Sequence, residues 1–231
     1  MGIAYSPSPQ DVERYRSLRA LSKALNSRML EIVPSHAMLE TGEAIGILRG
    51  DVLIFETQDL TSVHMDCCLY DWYEDGENLL QRYARQHPAE PCTDESLLLG
   101  ACLRAKFAVL VVQSVAPGAG VYCRDILNGM DLFVMDMGLG DTARPGAAFA
   151  TRVIPLGEYW MTGGAGLPIP DLDTVLDEVD RLRKRGNKAF DGPGGMARML
   201  VRACLAAGAA KYIRYQDAPP PPAKAKKKRR R

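Results

Sequence analysis

His64, Cys67 and Cys68 stand at i, i+3 and i+4, a spacing that sets three side chains on one helix face, and one nitrogen with two sulfurs is a donor set zinc accepts. Structural zinc normally shows two clear ligand pairs. The other cysteines (Cys92, Cys102, Cys123 and Cys204) form no C-x-x-C and no paired spacing, so the reading is buried, reduced thiols, with no metal and no cofactor expected. A thiol nucleophile, Cys68 or Cys123 with a histidine base, would need an activating surround, and no nucleophile elbow encloses either residue. Two acidic groups, Asp66/Asp71/Glu74/Asp75 and Asp171/Asp173/Asp177, have the chemistry of a divalent-cation site; runs of this kind are read as solvated helix faces or partners of a helix N-terminus. Asp125 and Asp136, with Arg124, Arg144 and Arg152, read as surface or turn ion pairs. Gly163 to Gly166 lacks the Lys and Ser/Thr of a phosphate-cradling loop. No residue receives a catalytic role from the sequence.

The tail carries the strongest electrostatic signal. Lys224, Lys226, Lys227, Lys228, Arg229, Arg230 and Arg231 crowd the last eight positions after a Pro-rich stretch, a pattern that attracts polyanions such as nucleic acid. The rest of the chain is acidic, with 28 Asp and Glu against 22 Lys and Arg (29 less the seven). An acidic body opposes nucleic-acid contact, unless Tyr122, Phe133 and Tyr159 form a stacking platform on a β face. The alternative for these aromatics is a place in the core. At 231 residues, 47% hydrophobic and 25% charged, the chain has the composition of a globular protein. It shows no apolar run long enough to span a membrane and opens without a secretory signal, so a cytoplasmic location with no membrane partner is expected. Gly2 and Ser6 satisfy the short myristoylation pattern, which is read as a chance match.

The elements that must position these residues fall into three blocks. Ser8 caps a helix with Pro9 at its first position and Asp11 in its first turn; Val12, Tyr15, Leu18, Leu21, Leu25 and Met29 continue it at helical spacing. A second helix is expected over Ser35 to Leu48 on Met38, Leu39, Ala44, Ile45 and Leu48, and Asp51 to Phe55 is a strand or a helix entry. Helices follow over Asp59 to Trp72, around Leu79 to Tyr83, and from a Thr93 cap to Ala105. From Phe107 the period changes to that of strands. Asn128-Gly129 between two β-prone runs predicts a type I′ hairpin, and Arg144-Pro145-Gly146-Ala147 a type II turn. Five short strands predict a small antiparallel barrel, SH3-like or OB-like. Gly163 to Pro170 reads as a linker, Asp171 as the cap of a helix, Gly192 to Gly195 as a break, and Ala197 to Tyr212 as a last helix.

Leu69-Tyr-Asp-Trp72, Val115 to Gly129 and Pro145 to Gly157 resemble a family of uncharacterised bacterial proteins that share an FDW helix, a GxGVxLRDLLTGE hairpin and an LRPGDLLxARLVPLG turn. The similarity spans Asp59 to Gly164. Some members carry a SEC-C zinc motif, which is absent here. The resemblance implies a bacterial, cytoplasmic protein with this β module and carries over no catalytic residue.

The expected fold is therefore α+β: a helical region over 1–105, a small antiparallel β-barrel over 106–164, C-terminal helices over 165–215 and a Pro/Lys/Arg tail over 216–231. The expected function is a non-catalytic binding or regulatory module with a protein or nucleic-acid partner. One alternative is a nucleic-acid-associated protein using the tail and a barrel face. Another is an enzyme of unrecognised type, which would require a pocket where His64, Asp66, Asp71 and arginines converge.

Overall fold

The computed structural model describes residues 5–57 and 59–212. Helix α1 (Pro9–Leu30) starts as its sequence dictates: Ser8 and Asp11 form a reciprocal capping box that satisfies otherwise orphaned backbone donors. Helix α2 (Ser35–Ile45) stops three residues earlier than expected, because Gly46 turns left-handed at φ 86°. Its buried face is Ala37, Thr41, Gly42, Ala44 and Ile45, while Leu39 is exposed. The chain then folds back as a two-residue hairpin, β1 (Leu48–Arg49) on β2 (Val52–Leu53), which decides the ambiguous run in favour of strand. Helix α3 (Asp59–Tyr70) leads into a second short hairpin, β3 (Tyr73–Glu74) on β4 (Glu77–Asn78). Asn78 then caps α4 (Leu79–Gln86), and Thr93 caps α5 (Asp94–Cys102).

The centre is a closed barrel of β5 (Lys106–Ala116), β6 (Gly120–Asp125), β7 (Met130–Met135), β8 (Ala148–Leu156) and β9 (Tyr159–Ile169). Its order, β5-β6-β7-β9-β8 with β8 returning to β5, belongs to the OB-like of the two expected barrels, a five-stranded Greek key. Four seams are antiparallel. The fifth, β7 with β9, is parallel (Val134 opposite Trp160, Met135 opposite Met161), so the barrel is mixed rather than purely antiparallel. The reason is topological: β8 and β9 form a hairpin, and only its second strand reaches β7 to close the ring.

Two local expectations change. Asn128-Gly129 does not form a two-residue type I′ turn, since Asn128 is not among the residues with positive φ. Asp125 pairs with Met130 across a four-residue loop, and its carboxylate accepts from Leu127 N–H and the Asn128 side chain, so an Asx turn sets the bend. The Arg144 to Ala147 turn forms as read, with Gly146 at φ 86° and Ala147 N–H donating to Arg144 C=O. The stretch from Gly163 read as a linker instead continues β9 to Ile169, paired with β8 as far as Ala148. A short helix not anticipated, α6 (Met137–Thr142), follows Asp136, whose carboxylate caps it.

Alternation along the strands separates the barrel's two surfaces. Leu110, Val112, Val121, Cys123, Leu132, Val134 and Phe149 fill its interior. The outer surface is also apolar and is clad by helices on two sides. Phe133, Met135, Ile154 and Met161 pack with α1, α3, α4 and α5. Val109, Ala150, Leu167 and Ile169 pack with α2, α3, α7 (Leu172–Arg185) and α8 (Gly195–Ala206).

Candidate functional site

Helix α3 places Asp66 on its barrel-facing side, and Asp71 follows one residue after the helix ends. Both were read as part of a solvated acidic face; both are buried, at 9% and 3% exposure. The reason lies across the interface. Arg152, read as a surface group, leaves β8 on the outer side between Ala150 and Ile154 and is itself 3% exposed. Its Nε donates to Asp66 Oδ2 at 2.9 Å and its Nη2 to Asp71 Oδ2 at 2.5 Å. The guanidinium lies over the Tyr70 ring, 4.2 Å from the centroid, and within 5.5 Å of the Phe107 centroid. A buried ion triad thus ties α3 to the barrel at the seam between the two outer hydrophobic clusters.

The backbone makes room for it. Between the pairs Thr151–Gly166 and Val153–Thr162 the register slips, so Gly163, Gly164 and Ala165 oppose Arg152 alone. This bulge uses Gly164 at φ 95°, and a Cβ on Gly163 would come within 3.2 Å of both Arg152 Cβ and Asp66 Oδ1. On the other side Gly194, at φ 75°, brings the start of α8 so close to Asp71 that any Cβ there would overlap the Asp71 backbone. Arg198 of α8 donates from Nη1 to the Asp71 carbonyl and from Nε to Ala189 C=O at 3.0 Å.

Charge balance sets the protonation. Burial works against the Arg152 charge, but the two carboxylates more than offset it, so the guanidinium holds its proton more tightly than a free arginine. For Asp71, burial is the largest influence and raises the pKa to about 6, with Arg152 opposing and Asp66 adding to the rise. Two carboxylates facing one guanidinium leave one negative charge in excess, and Asp71 carries that penalty.

The triad borders a cleft of about 340 Å³ between α4, α5, β5 and the start of α8. Asp71 and Arg152 are in its wall, with Tyr73, Asn78 and Gln81 as further polar groups. Asn78 Nδ2 donates to Tyr70 C=O at 2.9 Å, and Asn78 and Gln81 cap each other through backbone N–H groups.

The remaining sequence candidates separate. His64 does not join the triad: fully buried, it donates from Nε2 to Met38 C=O at 2.8 Å, and burial lowers its pKa, keeping it neutral. Cys68 Sγ lies 3.7 Å from that nitrogen, but Nε2 already carries its proton to Met38 and burial pushes the thiol up to about 11, so no nucleophile is activated. Burial likewise pushes Cys123 up to about 12 and raises Cys67 well above the usual thiol range. Among the described residues no group of three His, Cys, Asp or Glu is placed to hold a metal ion. Glu74 pairs with Arg82 at 3.0 Å, Asp75 sits in the β3–β4 turn at φ 54°, and Asp173 and Asp177 are exposed on α7 beyond Asp171. Arg124 pairs with Asp131 on the surface, and Arg144 is exposed in its turn. Asp136 accepts from Arg19 Nη2 at 3.2 Å and from Thr162 Oγ1 at 2.6 Å, joining α1 to the barrel.

The aromatic platform is not open. Phe133 and Tyr159 are buried, and Tyr5 stacks on both, at 5.3 and 6.0 Å between centroids. Tyr122 donates its hydroxyl to Tyr5 C=O at 3.1 Å. In an OB-type barrel this second-to-third-strand face is where oligonucleotides bind; here the N-terminal segment closes it. The basic residues Lys224, Lys226, Lys227, Lys228, Arg229, Arg230 and Arg231 lie outside the described residues.

Fold and site together define an α+β protein with a helix-clad OB-like barrel and a polar cleft beside a buried ion triad. A family model, a family of unknown function (DUF7986), matches residues 9–189, and the chain belongs to that family. No curated protein and no solved structure matches it. No helix among the described residues is long and apolar enough to cross a membrane.

Proposed function

We propose that the chain is a non-catalytic binding module of a reducing, cytoplasmic compartment and takes a small polar ligand in the cleft beside Asp71 and Arg152. The observation that carries this reading is that the reactive groups around the cleft are already engaged. Arg152 is held by two carboxylates and an aromatic face, and burial keeps the Cys102 thiol in the wall protonated. What the wall offers an incoming molecule is hydrogen bonding from the hydroxyl of Tyr73 and the side-chain NH2 of Gln81, since the Asn78 amide is spent on Tyr70 C=O and the Gln81 N–H. Arg152 leaves one carboxylate charge of the triad uncompensated, and Arg198 spends its donors on the Asp71 and Ala189 carbonyls, so a neutral or zwitterionic ligand fits better than an anion. All six cysteines are free and five are buried, which supports the compartment.

The test is a thermal-shift survey of free amino acids, nucleosides and small sugars, followed by calorimetry of any hit on Gln81→Ala and Tyr73→Phe. Binding that weakens in both variants, with the ligand recovered unchanged by NMR, supports the reading. Consumption of the ligand would replace it with an enzyme, and the absence of any hit at millimolar concentration would refute it. A second reading, nucleic-acid association, rests on the seven basic residues of the tail. Filter binding with and without residues 218–231 over a salt series separates the two.

A further inference from the structure

The structure holds a second concavity, of about 460 Å³, on the opposite side of α8 from the polar cleft's rim, between α7, α8, the end of α2 and the β1–β2 hairpin. Its floor is apolar: Ile45, Ile47, Leu60, Leu182 and Leu205 line it. Its rim is basic. Arg181 and Arg185 stand one turn apart on α7, Arg202 faces them from α8, and Arg49 comes from β1, against Glu56 and Glu178. Arg181 is already paired with Glu178 through two hydrogen bonds (Nε to Oε2 at 2.6 Å, Nη2 to Oε1 at 2.5 Å), so Arg49, Arg185 and Arg202 against Glu56 make the rim positive on a body that is otherwise acidic.

Two of these arginines are held in place by backbone. Arg202 Nη1 donates to Glu43 C=O and Ala44 C=O, both at 3.1 Å, and Arg49 Nη1 to Gly46 C=O and Leu48 C=O, both at 3.0 Å. Arg202 thereby binds last-turn carbonyls of α2 and Arg49 the carbonyls just after it, and each guanidinium keeps further N–H donors for an incoming carboxylate. Arg185 is exposed at the end of α7.

The apolar surface does not stop at the cavity. Ile54 lines it yet is 46% exposed, and Val52, two residues away on β2, is 59% exposed. A small molecule filling the cavity would leave these side chains in water, whereas a longer apolar stripe would cover them. We propose that this groove docks an acidic amphipathic helix of a partner protein, leucine-type side chains on the floor and Ile54, carboxylates against Arg49, Arg185 and Arg202. Charge complementarity selects the acidic partner, and the helical walls with their apolar extension select a helix. This surface is independent of the polar cleft, and its test does not depend on what the cleft binds.

The probe is a fluorescein-labelled 18-residue peptide with leucine at helical spacing and glutamate elsewhere, titrated with the full chain by fluorescence anisotropy. Saturable binding is expected. It should weaken at least tenfold in Arg49→Glu/Arg185→Glu and in Ile54→Asp, all surface changes whose folding is checked by circular dichroism. It should also be lost when the peptide's leucines become alanine or its glutamates lysine. Equal binding by the charge-reversed protein would assign the attraction to the basic tail and overturn the proposal. Absence of saturable binding, or indifference to the leucines, would overturn it equally.

Discussion

Replacing Asp71 by Asn removes the excess carboxylate of the triad while leaving a side-chain oxygen for Arg152 Nη2. Burial raises the Asp71 pKa from 3.8 to about 6. Because the folded value lies above the unfolded one, the native state binds the Asp71 proton more tightly than the unfolded chain between those limits. Its contribution is therefore fully present below about pH 4 and is lost as pH rises through about 6. A lift of about two pH units, at about 1.4 kcal/mol each, sets that loss near 3 kcal/mol. Asparagine cannot ionise and escapes it. Urea unfolding of both proteins at pH 4, 5, 6 and 7, followed by circular dichroism, isolates the effect, since titrations away from the triad cancel in the difference. The variant should gain about 3 kcal/mol on the wild type between pH 4 and 7, whatever its offset at pH 4. Parallel profiles would refute the reasoning. A wild type that gains on the variant with rising pH would show a depressed Asp71 pKa and a triad that tolerates two ionised carboxylates.

Arg152→Met should cost about 3–5 kcal/mol at pH 7, since it leaves two buried carboxylates without their cation. The loss should shrink toward pH 4 as Asp71 protonates, which the same urea series reads. Gly194→Ala should lower the melting temperature sharply: φ is 75° there, and the added methyl overlaps the Asp71 backbone, so the cost exceeds about 1 kcal/mol. A thiol reagent at pH 8 should label the exposed Cys92 in the native protein at once, and Cys67, Cys68, Cys102, Cys123 and Cys204 only on unfolding, read by mass spectrometry of the native and denatured chain.

Local chemistry was the most legible layer of this sequence. The Ser8 capping box, the Thr93 cap and the Pro145-Gly146 turn all follow from neighbours within four residues, and the structure has them. The change of period at Phe107 likewise marks where the barrel begins. The triad was not legible, because its members are 81 and 86 positions apart and charge alone reads as surface. A signal did exist: the Leu69 to Trp72 and Pro145 to Gly157 segments that carry the family resemblance contain Asp71 and Arg152, one in each. The glycines at 163 and 164 were misread for a related reason. Their composition is that of a linker, and only Arg152 and Asp66 beside Gly163, with the positive φ of Gly164, explain why a strand would carry them. The Asn128-Gly129 turn was misread because Asp125, three residues upstream, offers hydrogen bonds that the dipeptide rule does not weigh.

The parallel β7–β9 seam bears on how the molecule is made. A barrel closed by its last strand stays open until residues 159–169 have left the ribosome, and α1 to α5, synthesised earlier, have only part of the surface they cover. Arg19 waits 143 residues for Thr162, and Asp66 waits 86 for Arg152. Contacts of such separation slow folding, and the apolar helix faces stay exposed while they form. Nascent chains stalled before residue 159 should therefore be bound by chaperones and cut by protease, and those extending past α8 should resist both. Synthesis and assembly in this protein are successive rather than concurrent, and the interval between them is when it is most open to aggregation.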